Sequence, residues 1–95
     1  MKFTQGTWTE ANGTSLQGYI TATYDQLVAR FGQPDGGGDK TTVEWVLAFA
    51  DGTIATIYDW KEYETPMGLY RWHIGGVNKT AVTRVTQSLK QRATV

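Results

Sequence analysis

Two β-rich runs meeting at Asp51-Gly52 constrain this chain more than anything else in it. Thr41–Ala50 and Thr53–Trp60 are dense in β-branched and aromatic residues. Asp-Gly between such runs is the composition of a tight hairpin turn. A two-residue loop predicts that Phe49 faces Ile54, Leu47 faces Thr56, Trp45 faces Tyr58 and Val43 faces Trp60. The other face then carries Ala48 with Ala55, Val46 with Ile57 and Glu44 with Asp59. Both faces are substantially apolar. Helices can cover one, and a second copy of the chain is expected to cover the other. Carboxylates directly opposite one another repel. A cation from the next strand, Arg71 or His73, is therefore expected beside Glu44 and Asp59, and an Asp59–His73 pair is the structural role for the chain's one histidine.

The rest of the chain reads as shorter elements. Residues 1–13 fit an edge strand or a loose N-terminal arm. Ser15–Thr21 alternates as a strand. Thr23 with Gln26 three residues on is a capping box, and Tyr24, Leu27, Val28 and Phe31 form one helical stripe. Gly32 suits the helix stop, and Pro34 forbids resumption. Asp35–Lys40 (DGGGDK) reads as a flexible connection, because consecutive glycines cost an element too much entropy. Lys61–Leu69 is a polar connection, and Tyr70–Ile74 is a further strand ended by Gly75-Gly76. Asn78 caps a last helix running from Lys79 to about Ala93, with Ala81, Val82, Val85 and Leu89 inward. The expected fold is α+β: an antiparallel sheet in β-α-β-β-β-α order with two helices packed on one face, as one domain over 1–95.

Composition removes several classes of function. There are no cysteines and one histidine, which excludes disulfides, thiolate zinc sites and His-rich metal centres. No catalytic constellation stands out, so no enzyme activity, metal or cofactor is expected. Nine basic and nine acidic residues balance, which argues against binding polymeric nucleic acid. No apolar run approaches the roughly 20 residues of a membrane span, and no signal-peptide pattern opens the chain, so a cytosolic location is expected. The charge is nonetheless polarised. Arg71, Lys79, Arg84, Lys90 and Arg92 follow one another at the C-terminal end with no acid between them. That run either docks on the acidic body or forms a local site for a small anion.

Gly75-Gly76-Val77-Asn78-Lys79 is the segment where such an anion would sit. Paired glycines allow close backbone approach, a helix start offers free N–H groups, and Lys79 adds a full charge. The spacing is not that of a Walker A loop. Tyr58, Trp60, Tyr63, Tyr70 and Trp72 collect around the neighbouring strand ends. Trp45 and Trp72 are expected in packing. Trp60 and Tyr63 are expected at a site or interface, because Tyr63 stands in a polar loop beside Lys61, Glu62 and Glu64.

Several strings in this chain resemble a widespread family of small bacteriophage proteins. They are Ile20-Thr21-Ala22-Thr23-Tyr24-Asp25-Gln26-Leu27-Val28 with Phe31-Gly32-Gln33-Pro34, then Thr42-Val43-Glu44-Trp45, then Phe49 through Lys61, and Trp72-His73-Ile74-Gly75-Gly76. The resemblance covers about Leu16 to Leu89 and extends to anti-CBASS sponges, which sequester cyclic dinucleotide signals of bacterial antiphage defence. It implies non-enzymatic binding of a cyclic nucleotide in the cytoplasm of an infected bacterium, by a homo-oligomer. Arg71, His73, Lys79 and the Gly75-Gly76 backbone would neutralise phosphates, while Trp60, Tyr63 and Tyr70 would sandwich bases. A second similarity rests on the short helix ending in Phe-Gly-x-Pro before a meander. It is to interaction modules of outer-membrane assembly lipoproteins and β-lactamase inhibitor proteins, and implies binding to another protein, although the absent lipobox and cysteine argue against the lipoprotein itself. The alternative function is a phage-encoded inhibitor that covers a host protein with its aromatic sheet face.

Overall fold

The computed structural model describes residues 2–90. The elements run β1 (Phe3–Gln5), β2 (Ser15–Ala22), α1 (Tyr24–Phe31), β3 (Glu44–Phe49), β4 (Ile54–Tyr58), β5 (Tyr70–Gly76) and α2 (Thr80–Lys90). The fold is α+β. One antiparallel five-stranded sheet, ordered β1-β3-β4-β5-β2, carries both helices on one face. The stretch expected to extend the last helix past Lys90 lies outside the described residues. No described helix is long and apolar enough to cross a membrane.

Local chemistry sets α1 as expected. Thr23 Oγ1 accepts from Gln26 N at 3.1 Å, and Gln26 Oε1 accepts from Thr23 N at 2.8 Å. This reciprocal cap satisfies two donors at the helix start and contributes about 1 kcal/mol. Gly32, at φ 85°, then donates to Val28 O and ends the helix.

The hairpin differs from expectation by one residue. Phe49 N donates to Thr53 O at 2.8 Å, so the loop is Ala50-Asp51-Gly52 rather than two residues. Gly52 takes φ 91°, and Asp51 Oδ1 accepts from Thr53 N at 3.0 Å. The resulting pairs are Glu44 with Tyr58, Trp45 with Ile57, Val46 with Thr56, Leu47 with Ala55 and Ala48 with Ile54. A one-residue slip sends every β4 side chain to the opposite face. Ala55, Ile57 and Asp59 therefore join Trp45, Leu47 and Phe49 under the helices, all buried. Ile54, Thr56 and Tyr58 share the helix-free face with Glu44, Val46 and Ala48.

This register removes both carboxylate expectations. Glu44 does not oppose Asp59, and Asp59 does not pair with His73. Asp59 is fully buried and serves the neighbouring loop: it accepts from Thr42 N at 2.7 Å, Thr42 Oγ1 at 2.6 Å and Val43 N at 3.3 Å.

Trp45 and Trp72 meet edge to face at 5.6 Å in the core. Their indole N–H groups donate to Gly32 O and Ala22 O. Leu27 and Phe31 from α1, and Ala81 and Val85 from α2, complete the cluster. The second sheet face is partly covered by the chain itself. Val46 and Thr56 are buried there, with Gly6 so close over Val46 that an added Cβ would lie 2.8 Å from its Cγ1.

Candidate functional site

Strand pairing lays one transverse row across the helix-free face. Glu44 on β3 is opposite Tyr58 on β4, Tyr58 is opposite His73 on β5, and His73 is opposite Tyr19 on β2. The rings touch in sequence. Tyr58 stacks on His73 with centroids 5.3 Å apart, and Tyr19 meets His73 edge-on at 4.9 Å. Trp60, just past β4, lies 6.3 Å from both Tyr58 and His73. The Arg71 guanidinium sits 3.9 Å over the Tyr19 ring, and the Lys61 ammonium 5.9 Å from the Trp60 ring. The face is thus an aromatic floor, with cations at one end and along one side and a carboxylate at the other end.

Burial sets the charge states on this floor. Desolvation, reinforced by Arg71, pulls His73 below its ordinary 6.5, while Asp59 and Glu62 oppose the shift. Its Nδ1 is buried and meets no hydrogen-bond partner among the described residues. The imidazole is therefore a neutral aromatic ring near pH 7, and the floor's cations are Arg71 and Lys61. Desolvation also raises Glu44, opposed by the hydrogen bond from Thr41 and reinforced by Asp59 and Asp35. Tyr58 is raised by the same desolvation, with Glu44 adding to it.

The Trp60 corner is held from below. Tyr70 OH accepts from Trp60 N at 3.2 Å and donates to Glu62 Oε2 at 2.9 Å. Lys61, at φ 55°, is the one non-glycine with positive φ among the described residues, and its N–H donates to Lys40 O at 2.7 Å. A lysine there costs about 1 kcal/mol or more and persists because the surroundings fix it. Beside this corner a groove of about 340 Å³ is lined by Asp39, Lys40, Thr41, Thr42, Lys61, Glu62 and Tyr63.

Of the residues expected at a site, Trp60, Arg71 and His73 are brought together. Tyr63 is 99% exposed on the adjoining loop and is one of the residues lining that groove. The others are placed differently. Tyr70 is on the core side, edge-on to Trp72 at 5.0 Å, and acts through the Trp60 backbone rather than as a base sandwich. Gly75 is buried in the sheet, where a Cβ would collide with Thr56 Oγ1 and lie 3.4 Å from Tyr58 Cε1. Gly76 is buried under α2, where a Cβ would collide with that of Ala81. Both glycines serve packing rather than ligand approach. Lys79 Nζ donates to Gln17 O at 3.0 Å, and Asn78 Oδ1 takes the Thr80 N–H. A groove of about 340 Å³ does open at this helix start, but it includes Asp51, whose carboxylate pairs with Arg84 at 2.9 Å. The expected phosphate cradle is thus already spent on internal contacts.

Tyr19 is not among the residues expected at the site, and Tyr58 is expected only as one of the aromatics around the neighbouring strand ends. Their signal was the alternation of Tyr19 with Ile20 and of Tyr58 with Ile57, which needed the correct register to be read. Among the described residues no cluster of three metal-ligating side chains forms. Comparison with protein-family models, with curated proteins and with solved structures finds no match to this chain.

Proposed function

We propose that this chain is a non-enzymatic binding protein for a small phosphorylated ligand with planar bases, a cyclic nucleotide signal of antiphage defence, which it sequesters in the cytoplasm of an infected bacterium. The observation that carries this reading is the Tyr19–His73–Tyr58–Trp60 floor with Arg71 laid on one end. Exposed aromatic faces stack bases, each contact contributing about 1–3 kcal/mol. A guanidinium offers phosphate two parallel N–H donors. Arg71 is held at the floor by the Tyr19 ring, so part of its ordering cost is met before a ligand arrives. Glu44, at the far end, suits the N–H edge of a base. The role of Lys79 passes to Arg71 and Lys61, and Tyr63 lines the adjoining groove rather than the floor. Self-association belongs to the same reading, because a ligand with two bases and two phosphates offers contacts to two copies of the chain.

Calorimetric titration of cyclic dinucleotides and mononucleotides, with chromatographic recovery of the ligand afterwards, tests the proposal. Wild type binds and returns the nucleotide intact. Arg71→Ala and Trp60→Ala each weaken binding about tenfold or more, while Lys79→Ala does not. Uptake of no nucleotide by wild type refutes it.

A second reading has its own support. Tyr63, Met67 and Leu69 are 99%, 58% and 76% exposed on the single connection between β4 and β5. Aromatic and Met-rich projections of this kind anchor protein interfaces. In this reading the chain inhibits a host defence protein, and a pull-down through that loop is insensitive to nucleotides and lost in Tyr63→Ala/Leu69→Ala.

A further inference from the structure

Three carboxylates stand near the β3 end of the aromatic row, and two of them are committed to the chain's own donors. Asp59 accepts from Thr42 and Val43. Asp35 accepts from Val46 N at 2.7 Å through Oδ2 and from the Gln5 side chain through Oδ1. Glu44 is different. Among the described residues one hydrogen bond reaches its side chain, from Thr41 Oγ1 to Oε2, and at 3.3 Å it is long. An ionised carboxylate has room for about four. Burial withholds water from Glu44, and Asp59 and Asp35 add like charge, so the group is short of donors.

The outer side of Glu44 is closed by the chain itself. Gly36 is its partner there in an isolated bridge, and the Trp8 ring lies 3.7 Å from where a Gly36 Cβ would be. A reciprocal cap holds the Trp8 turn: Thr7 Oγ1 accepts from Glu10 N at 3.1 Å, and Glu10 Oε1 accepts from Thr7 N at 2.9 Å. On the inner side Tyr58 is directly opposite, near enough for the Glu44 charge to help raise its hydroxyl. From Glu44 along the row to Tyr19, where the Arg71 guanidinium lies, is three strand spacings, about 14 Å. A nucleotide laid along the row, with a hydrogen bond at each end, spans such a distance.

We propose, on the nucleotide-binding reading above, that the base held on this floor is guanine, with Glu44 accepting its N1–H and N2–H while Arg71 takes the phosphate. Guanine is the nucleobase whose pairing edge carries two adjacent N–H donors, the same fork that a guanidinium offers a carboxylate. Adenine and cytosine each set one amino group beside a ring-nitrogen lone pair, and uracil sets one N–H between two carbonyls. Each of these turns an acceptor towards a carboxylate oxygen. A site whose buried polar group is left unmatched in this way rejects the wrong ligand strongly.

Calorimetry with cyclic di-GMP, cyclic di-AMP and cyclic di-UMP against wild type, Glu44→Gln and Glu44→Ala tests the assignment. Wild type is expected to bind cyclic di-GMP at least about tenfold more tightly than the other two. Glu44→Gln keeps the size of the side chain and therefore the fold. Its amide matches the amino group and adjacent lone pair of adenine, so the order is expected to reverse in favour of cyclic di-AMP. Glu44→Ala is expected to bind guanine and adenine ligands about equally. Equal or tighter binding of cyclic di-AMP by wild type overturns the guanine assignment and leaves the aromatic floor standing. So does a guanine preference that survives both substitutions. If wild type takes up no nucleotide, the nucleotide-binding reading fails and the assignment with it.

Discussion

Removing the Asp59 carboxylate is expected to unfold the corner that carries Trp60. Asp59 is fully buried and accepts from Thr42 N, Thr42 Oγ1 and Val43 N. In Asp59→Ala these donors fare differently. The Thr42 hydroxyl keeps Thr65 Oγ1 at 2.8 Å as a partner. The Val43 bond is already long at 3.3 Å, whereas the Thr42 N–H is left with none. Thr42 and Val43 are part-buried, and an orphaned donor there costs toward the lower part of the usual range of about 1–3 kcal/mol. One full and one partial orphan, with the lost contact to the Thr42 hydroxyl, therefore give a loss of about 2–3 kcal/mol. Asp59→Asn keeps an oxygen for both N–H groups and can donate to the Thr42 hydroxyl, which then donates to Thr65. It loses the charge assistance alone, about 1–2 kcal/mol. Urea unfolding with a shared m-value reads both changes. A loss in Asp59→Ala below about 1 kcal/mol, or equal losses in the two variants, would refute this reasoning. A direct His73–Asp59 pair would also collapse the His73 titration in both variants. A floor facing away from Asp59 leaves only a small downward move, because the carboxylate raises His73 weakly from a distance.

Gly75→Ala overpacks Thr56 Oγ1 and destabilises by about 1–3 kcal/mol; in a Thr56→Ala background much of that loss returns, and a double-mutant cycle in urea measures the coupling. His73 has a folded pKa depressed below the unfolded 6.5, so the unfolded chain binds more protons between the two values. The stability held above 6.5 is lost as pH falls through that window and is level below it, and His73→Gln flattens this slope in unfolding midpoints taken across 6.5. Tyr70→Phe removes the clamp on Trp60 N and Glu62 while leaving the ring against Trp72; it costs about 1 kcal/mol of stability and broadens the Trp60 indole resonance. Glu44→Gln leaves the fold intact and alters which bases bind, read by calorimetry against purine and pyrimidine nucleotides.

Features legible in the sequence were those decided by neighbours in the chain. Thr23, Gln26, Gly32 and Pro34 fix α1 within a dozen residues, and the structure reproduces its cap. The hairpin was equally visible, but not its register. Asp51-Gly52 fits both a two-residue and a three-residue loop, and the choice is made by the core, which takes Ala55 and Ile57 together with a carboxylate. A buried Asp59 gave no local sign, because its donors sit 16 and 17 residues earlier. Lys79 shows the same limit. The helix start it belongs to was correctly expected, yet its ammonium is used by a carbonyl 62 residues away, at the β2 bulge. Tyr19 joins the floor only through the β2–β5 pairing, a contact of high sequence separation that alternation alone does not specify. Arg71, His73 and Trp60 come together because they lie on or beside β4 and β5, whose order along the chain is legible in the sequence.

The central claim, a ligand floor on the helix-free sheet face, is tested most directly by amide and side-chain chemical-shift mapping during titration with a cyclic dinucleotide. The account predicts shifts confined to the floor and its rim, Tyr19, Glu44, Tyr58, Trp60, Lys61, Tyr63, Arg71 and His73, with the Arg71 Nε–H moving furthest and α1 silent. Shifts centred on Val77–Thr80 at the start of α2, or no shifts at saturating nucleotide, would contradict it.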